Sequence, residues 1–128
     1  MDPIGDMLTR IRNAYQRRRK SVELPHSQMR ENLAQLLVRE GYLEKARNFK
    51  ESGRAGKMLH LDLKYENGEP AISGIRRLSK PGQRLYASAG TLATKLRGMT
   101  IISTSQGLLT AREARKKGLG GELIGEVI

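Results

Sequence analysis

Ser103-Thr104-Ser105-Gln106-Gly107 sets three consecutive hydroxyls beside an amide and a glycine. A hydroxyl both donates and accepts hydrogen bonds. Such a run can therefore match phosphate oxygens, base edges and ribose hydroxyls. Gly107 lets the backbone turn and approach a ligand closely. Nucleophilic use of a serine needs an adjacent base, and no triad is evident along the chain. The competing use of the same residues is a turn whose hydroxyls satisfy their own backbone.

Other chemistries find little support. His26 and His60 lie far apart, and there is no cysteine to complete a metal set. His60 reads as an outward residue of a strand, and His26 as a loop residue after Pro25. Carboxylates are scattered among Lys and Arg. Gly118-Leu119-Gly120-Gly121 invites comparison with a phosphate loop. Such loops place glycines between a strand and the start of a helix. Here they follow a helix and enter a strand, so a helix cap and a tight turn are expected. No catalytic residue, metal or cofactor is expected.

Charge narrows the partner. The chain carries 24 Lys and Arg against 13 Asp and Glu, a formal net charge of +11. Splitting it after Glu66 gives 14 against 9, then 10 against 4, which sum to those totals. Both parts are basic, unlike a neutral domain with a basic tail. A surface of this kind calls for nucleic acid, an anionic membrane or an acidic protein. No apolar run is long enough to span a bilayer, and Met1-Asp2-Pro3 is neither a signal peptide nor a lipidation motif. The absence of cysteine fits a reducing cytosol.

The elements that must position the hydroxyl run follow from periodicity. Asp2 as cap and Pro3 at the first helical position open a helix to Arg18, with Ile4, Met7, Leu8, Ile11, Ala14 and Tyr15 as its apolar stripe. Thr9, Arg10, Arg12 and Asn13 take the opposite face, and Arg17 to Lys20 place cations at the helix end. A short strand is expected over Ser21 to Leu24. Ser27 should cap a second helix with Met29, Leu33, Leu36 and Leu37 inward, stopped at Gly41. Strands are expected around Leu43 to Arg47 and Met58 to Tyr65, with a loop over Lys50 to Lys57. Asn67-Gly68 signals a tight turn. Ala71 to Leu78 is extended, Pro81-Gly82 turns, and Thr91 to Leu96 is a short helical piece. Met99 to Ser103 is a strand leading into the hydroxyls. Thr110 with Glu113 is a capping box for a helix to Lys117, and Glu122 to Ile128 is the last strand. The expectation is an α+β protein of two small domains, residues 1–66 and 67–128.

Several of these stretches together resemble a known family. Ser103 to Thr110, Glu113-Ala114 and Gly118-Leu119-Gly120-Gly121-Glu122 resemble the C-terminal signature of bacterial small-subunit ribosomal protein eight. Asp2-Pro3-Ile4 with Asp6 to Asn13 resembles that family's start. Leu78-Ser79-Lys80-Pro81-Gly82 and Arg84-Leu85-Tyr86 resemble its middle. The resemblance implies a cytoplasmic protein of the small ribosomal subunit that binds the central domain of 16S ribosomal RNA early and helps assemble the subunit platform. It implies an RNA site at Ser103, Thr104, Ser105, Gln106 and Gly107, with Glu122 bracing it and Arg84 and Tyr86 alongside. Thr9, Arg12 and Asn13, and Arg30 on the second helix, are implied as a further contact. Small-subunit proteins five and twelve are the implied neighbours, and the free protein is expected to be a monomer that binds neither membrane nor DNA. Gln106 stands where the family frequently has lysine.

Three other functions compete. A repressor of its own messenger RNA would use the same surface and coexist with the ribosomal role. A small RNA-processing enzyme would turn over labelled RNA. A DNA-binding module would prefer duplex DNA over structured RNA in competition.

Overall fold

The computed structural model describes residues 3–53, 55–91 and 98–128. It has helices and antiparallel sheets, an α+β protein. The described chain divides into two compact units, Pro3–Ser73 and Gly74–Ile128.

The first unit opens with α1, Pro3–Gln16, whose buried residues are the six of the expected apolar stripe. The helix stops two residues short of Arg18. Arg18 adopts a positive φ of 53°, and Arg19 N–H reaches back to the Ala14 carbonyl at 2.9 Å. This left-handed residue closes the helix, so Arg17 to Lys20 lie beyond its last turn. β1, Ser21–Pro25, leads to α2, Gln28–Arg39, where the Ser27 side chain accepts from Arg30 N–H at 3.1 Å. Met29 is not on the inward face as expected. It is 53% exposed, and Arg30 is buried beside Leu33, Ala34, Leu36 and Leu37.

β2, Lys45–Lys50, and β3, Lys57–Asp62, complete a three-stranded sheet in the order β1-β3-β2. β2 runs later than expected and β3 ends at Asp62 rather than Tyr65. Leu24 faces Leu59, and Val22 faces Leu61. Period two sends Leu24, Leu59 and Leu61 to one face, where they are buried. β4, Tyr65–Glu66, and β5, Glu69–Pro70, form a hairpin around Asn67-Gly68. Both turn residues have positive φ, 53° and 79°, which is what a two-residue hairpin needs. The domain boundary expected after Glu66 falls inside this hairpin.

The second unit is a five-stranded antiparallel sheet. Its strands are β6, Ile75–Arg77; β7, Tyr86–Ala87; β8, Met99–Thr104; β9, Gly107–Thr110; and β10, Gly121–Val127. β10 is central: β8 pairs along one side, and β6 and β7 pair with it at different positions. Extended chain expected from Ala71 to Leu78 narrows to β6. The helical piece expected over Thr91 to Leu96 lies outside the described residues after Thr91, where a 3-10 turn of Ala89–Thr91 ends. β9 was not foreseen. α3, Ala111–Lys116, follows it directly and carries both halves of the Thr110–Glu113 capping box. Ile102, Leu109, Ala111 and Ala114 form a buried cluster, with Ala87, Leu119 and Leu123 against it. That cluster fixes α3 to one face of the sheet.

Candidate nucleic-acid interface

The hydroxyl run is the tip of the β8–β9 hairpin. Thr104 pairs with Gly107, leaving Ser105-Gln106 as the turn. Both turn residues keep negative φ, and the left-handed residue is Gly107 at 100°. A tight turn followed by a left-handed glycine is a standard way to close a hairpin. Thr104 holds this shape: its Oγ1 donates to the Gly107 carbonyl at 2.9 Å and accepts from Gln106 N–H at 3.1 Å. Its hydroxyl is therefore committed to the turn. Ser103 and Ser105 make no side-chain hydrogen bond with the described residues, and Ser105, Gln106 and Gly107 are exposed. The run separates into one structural hydroxyl and two available ones.

Strand register assembles the rest of the surface. Glu122 on β10 stands opposite Tyr86 on β7 and opposite Ser103 on β8, and Ser103 stands opposite Leu108 on β9. Directly opposed residues share a face, so Tyr86, Glu122 and Ser103 form one row across three strands. Their neighbours Ala87, Leu123 and Ile102 belong to the cluster under α3. Alternation thus turns the row to the face away from α3. Tyr86 is 72% exposed, so it is not a core residue. Its ring is free to stack on a base. Arg84 places Nη1 3.0 Å from Glu122 Oε2. This ion pair orients the guanidinium and offsets a carboxylate that would otherwise repel phosphate. Half-exposed pairs contribute little stability, so its effect is on geometry.

Two devices hold the row in place, a clasped turn before β7 and a glycine pair at the start of β10. Lys80 and Gln83 exchange backbone hydrogen bonds of 3.0 and 2.9 Å around Pro81-Gly82. Gly82 has φ of 83°, the residue a type II turn demands after proline. Ser79, fully buried, accepts from Leu85 N–H at 2.9 Å and donates to the Leu85 carbonyl at 3.2 Å. That clasp fixes the segment carrying Arg84 and Tyr86. Ser79 stands within the Leu78 to Gly82 stretch, but its role depends on Leu85, six residues on, and residue type alone does not reveal it. The second device is Gly121. A Cβ there would fall 2.0 Å from the Ser103 carbonyl oxygen, and one at Gly120 2.5 Å from that of Ala87. The glycine pair lets β10 pass close between β7 and β8. Only the partner strands reveal that requirement.

Within the first unit, Thr9, Arg12 and Asn13 lie exposed on α1. Arg30 is different. It is 7% exposed, its Nη1 donates to the Pro25 carbonyl at 2.8 Å, and Nη2 is 3.5 Å from Asp6 Oδ2. Its charge is turned inward and braces the start of α2. His26 hydrogen-bonds Glu31 at 2.9 Å, and Asn48 donates to the same carboxylate oxygen at 2.5 Å. Those two bonds, Asn48's first, hold the Glu31 carboxyl below its ordinary pKa. His60 bridges Glu23 at 2.7 Å and Asp62 at 2.9 Å. The Glu23 bond above all, with that of Asp62, raises the His60 pKa against the opposing effect of burial. Among the described residues no cluster of His, Asp or Glu is arranged to hold a metal ion. No described helix is long and apolar enough to cross a membrane.

A sequence model of the family described as Ribosomal protein S8 matches residues 2–128. Relatives carrying the name small ribosomal subunit protein uS8 include those of three bacteria. That of Spiroplasma kunkelii is 49% identical over 129 aligned positions, covering 99% of this chain and 98% of the relative. That of Finegoldia magna is 49% identical over 126, covering 96% and 95%. That of Corynebacterium glutamicum is 48% identical over 129, covering 98% and 96%.

Proposed function

This chain belongs to the ribosomal protein S8 family, and on that premise we propose that it is an early binder of the central domain of 16S ribosomal RNA. At the coarser level it is a ribosomal protein of the small subunit in the bacterial cytoplasm, and it binds ribosomal RNA as part of a ribonucleoprotein. Its relatives are named as proteins of the small ribosomal subunit. The observation that carries the finer reading is the row of Tyr86, Glu122 and Ser103 on the face away from α3, ending at the exposed Ser105-Gln106-Gly107 turn.

Such a surface suits irregular RNA. Regular A-form duplex hides its base edges in a deep, narrow groove. Bulged or unpaired nucleotides expose base edges and 2′-hydroxyls, which Ser103 and Ser105 can donate to or accept from. Tyr86 offers a stacking plane. Arg84 and the other cations of the chain supply affinity without sequence information. Thr104 and Gly107 act on the RNA through the shape of the turn, and Gln106 adds an amide in place of a charge. On α1, Thr9, Arg12 and Asn13 form a second proposed contact, with Arg30 as a brace for α2. The binder is proposed to act as a monomer, fixing one RNA fold so that the subunit platform assembles beside it, with proteins five and twelve as neighbours.

The test is affinity for a central-domain 16S fragment and for a scrambled RNA of equal length, with footprinting on intact 16S RNA. The protein should prefer the cognate fragment and protect an irregular helix within it. Changing Ser103 and Ser105 together to Ala should remove that preference while leaving scrambled binding intact. Equal affinity of the unaltered protein for both RNAs would overturn the proposal.

A further inference from the structure

α3 carries Arg112, Arg115, Lys116 and Lys117, all exposed, within the helix and its cap. Arg112 lies three residues from Arg115 and four from Lys116. These spacings put like charges side by side on one helix face and make them repel. Cations at the last turn gain from the helix dipole, which accounts for Lys116 and Lys117. It does not account for Arg112 in the first turn, where the dipole disfavours a cation. The one acid of the helix, Glu113, is turned back to the cap, its Oε1 accepting from Thr110 N–H at 3.1 Å. Arg112, Lys116 and Lys117 therefore present cations on α3 with no ion-pair partner among the described residues.

Its position matters as much as its charge. Ala111 and Ala114 seat α3 on the Ile102, Leu109 and Leu123 side of the sheet. The hydroxyl turn's row, Tyr86, Glu122 and Ser103, points to the other side. An RNA helix lying on that row is not the one the outward residues of α3 meet. We infer that the outer face of α3 is a further phosphate-binding surface, which takes a separate segment of RNA backbone on the opposite side of the sheet from the recognition row. This deepens the RNA-binding function proposed above and rests on it. The ligand is backbone phosphate: the four side chains are cations and hydrogen-bond donors, the groups that neutralise phosphate and position RNA without specifying its sequence.

The experiment replaces Arg112, Lys116 and Lys117 together by Gln, leaving Arg115 in place. A control replaces Lys45, Lys50 and Lys57, which removes the same charge from the first unit. Binding is measured to intact 16S RNA and to a short stem-loop carrying only the recognised irregular helix. Near physiological salt the α3 variant should bind intact RNA about tenfold to a hundredfold more weakly, with a log–log salt slope shallower by about 2–3. Its affinity for the short stem-loop and its melting temperature should stay those of the unaltered protein. Equal losses on both RNAs, equal losses in the control, or unchanged binding to intact RNA would overturn the inference. Weakened binding to polyglutamate with RNA binding intact would overturn it in favour of an acidic protein. Failure of the unaltered protein to bind the short stem-loop would instead remove the function on which the inference rests.

Discussion

Thr104 and Ser105 are adjacent hydroxyls with opposite duties, and single substitutions should separate them. Thr104 closes the turn with two hydrogen bonds to Gly107 and Gln106. Removing its hydroxyl should lower stability by roughly 0.5–1.5 kcal/mol, the net value of a typical hydrogen bond, and loosen RNA discrimination indirectly. Ser105 is exposed. Ser105→Ala should change stability by no more than about 0.5 kcal/mol and weaken cognate RNA by roughly 1–3 kcal/mol through groups left unpaired. Denaturant melts beside cognate titrations check this, and a reversed pattern would reassign both residues. Tyr86 gives a second contrast. Tyr86→Phe keeps the ring and should bind nearly as well, whereas Tyr86→Ala should lose about 1–3 kcal/mol of base stacking with the melt unchanged. If Phe loses as much as Ala, the hydroxyl acts and stacking does not. The hydroxyl run was legible as chemistry because its residue types are unusual together. The division of labour was not, since Thr104's partner is a carbonyl that comes into reach only when β9 pairs. Helical periodicity placed Met29 inward, where Arg30 is buried instead, for a related reason. The inward position is stabilised by the Pro25 carbonyl and Asp6, which lie outside α2.

At the scale of elements, the site is a product of β10. That strand lies between β7 and β8, and Gly121 lets it pass the Ser103 carbonyl. Gly121→Ala must push these backbones apart, with a cost of about 1–3 kcal/mol or more, as for overpacking generally. Cognate RNA affinity should fall with it because Ser103 moves. Gly74→Ala, with open space around the new Cβ and an ordinary φ, should leave both intact. Equal effects from the two changes in melts and titrations would contradict the close-approach argument. The first unit offers a pH test. His60, held between Glu23 on β1 and Asp62 on its own strand, has a raised pKa owing chiefly to the Glu23 bond. A folded-state pKa above the unfolded value means the protonated form favours folding. That contribution is full below the unfolded pKa, about 6.5, and is lost as pH rises through the raised folded value. Melting temperature should therefore decline across that range, and His60→Gln should flatten the decline. A profile unchanged by the substitution would show the bridge to be inert. Sequence patterns found α1, β1, α2, β8 and the capping box, where stripes and caps are local. They missed β9, because Gly107 to Thr110 is too short to show alternation and runs straight into the helix cap.

For the whole molecule, charge is the property most legible in the sequence, since it is additive and needs no fold. Both parts of the chain are basic, and the net charge is +11. Where that charge acts is a matter of pairing, and this the sequence hides. Arg30 is spent inside the first unit, Arg84 is tied to Glu122, and Arg112 is held out on α3. Affinity and specificity should therefore separate by salt. Each phosphate neutralised contributes roughly −0.7 (single strand) to −0.9 (B-form duplex) to the log–log salt slope. Ser105→Ala removes no charge, so it should lower cognate affinity at every salt concentration without altering the slope. Arg84→Ala removes a cation and should weaken cognate and scrambled RNA alike, with a slope shallower by about one. It also strips Glu122 of its partner and leaves a bare carboxylate beside the hydroxyl row, which adds repulsion toward phosphate. Adding Glu122→Gln to Arg84→Ala should then recover part of the affinity for both RNAs. Titrations of the single and double variants across a salt series decide the matter. A loss confined to cognate RNA would make Arg84 a reader of bases, and no recovery in the double variant would mean that the ion pair does not shield the RNA from Glu122.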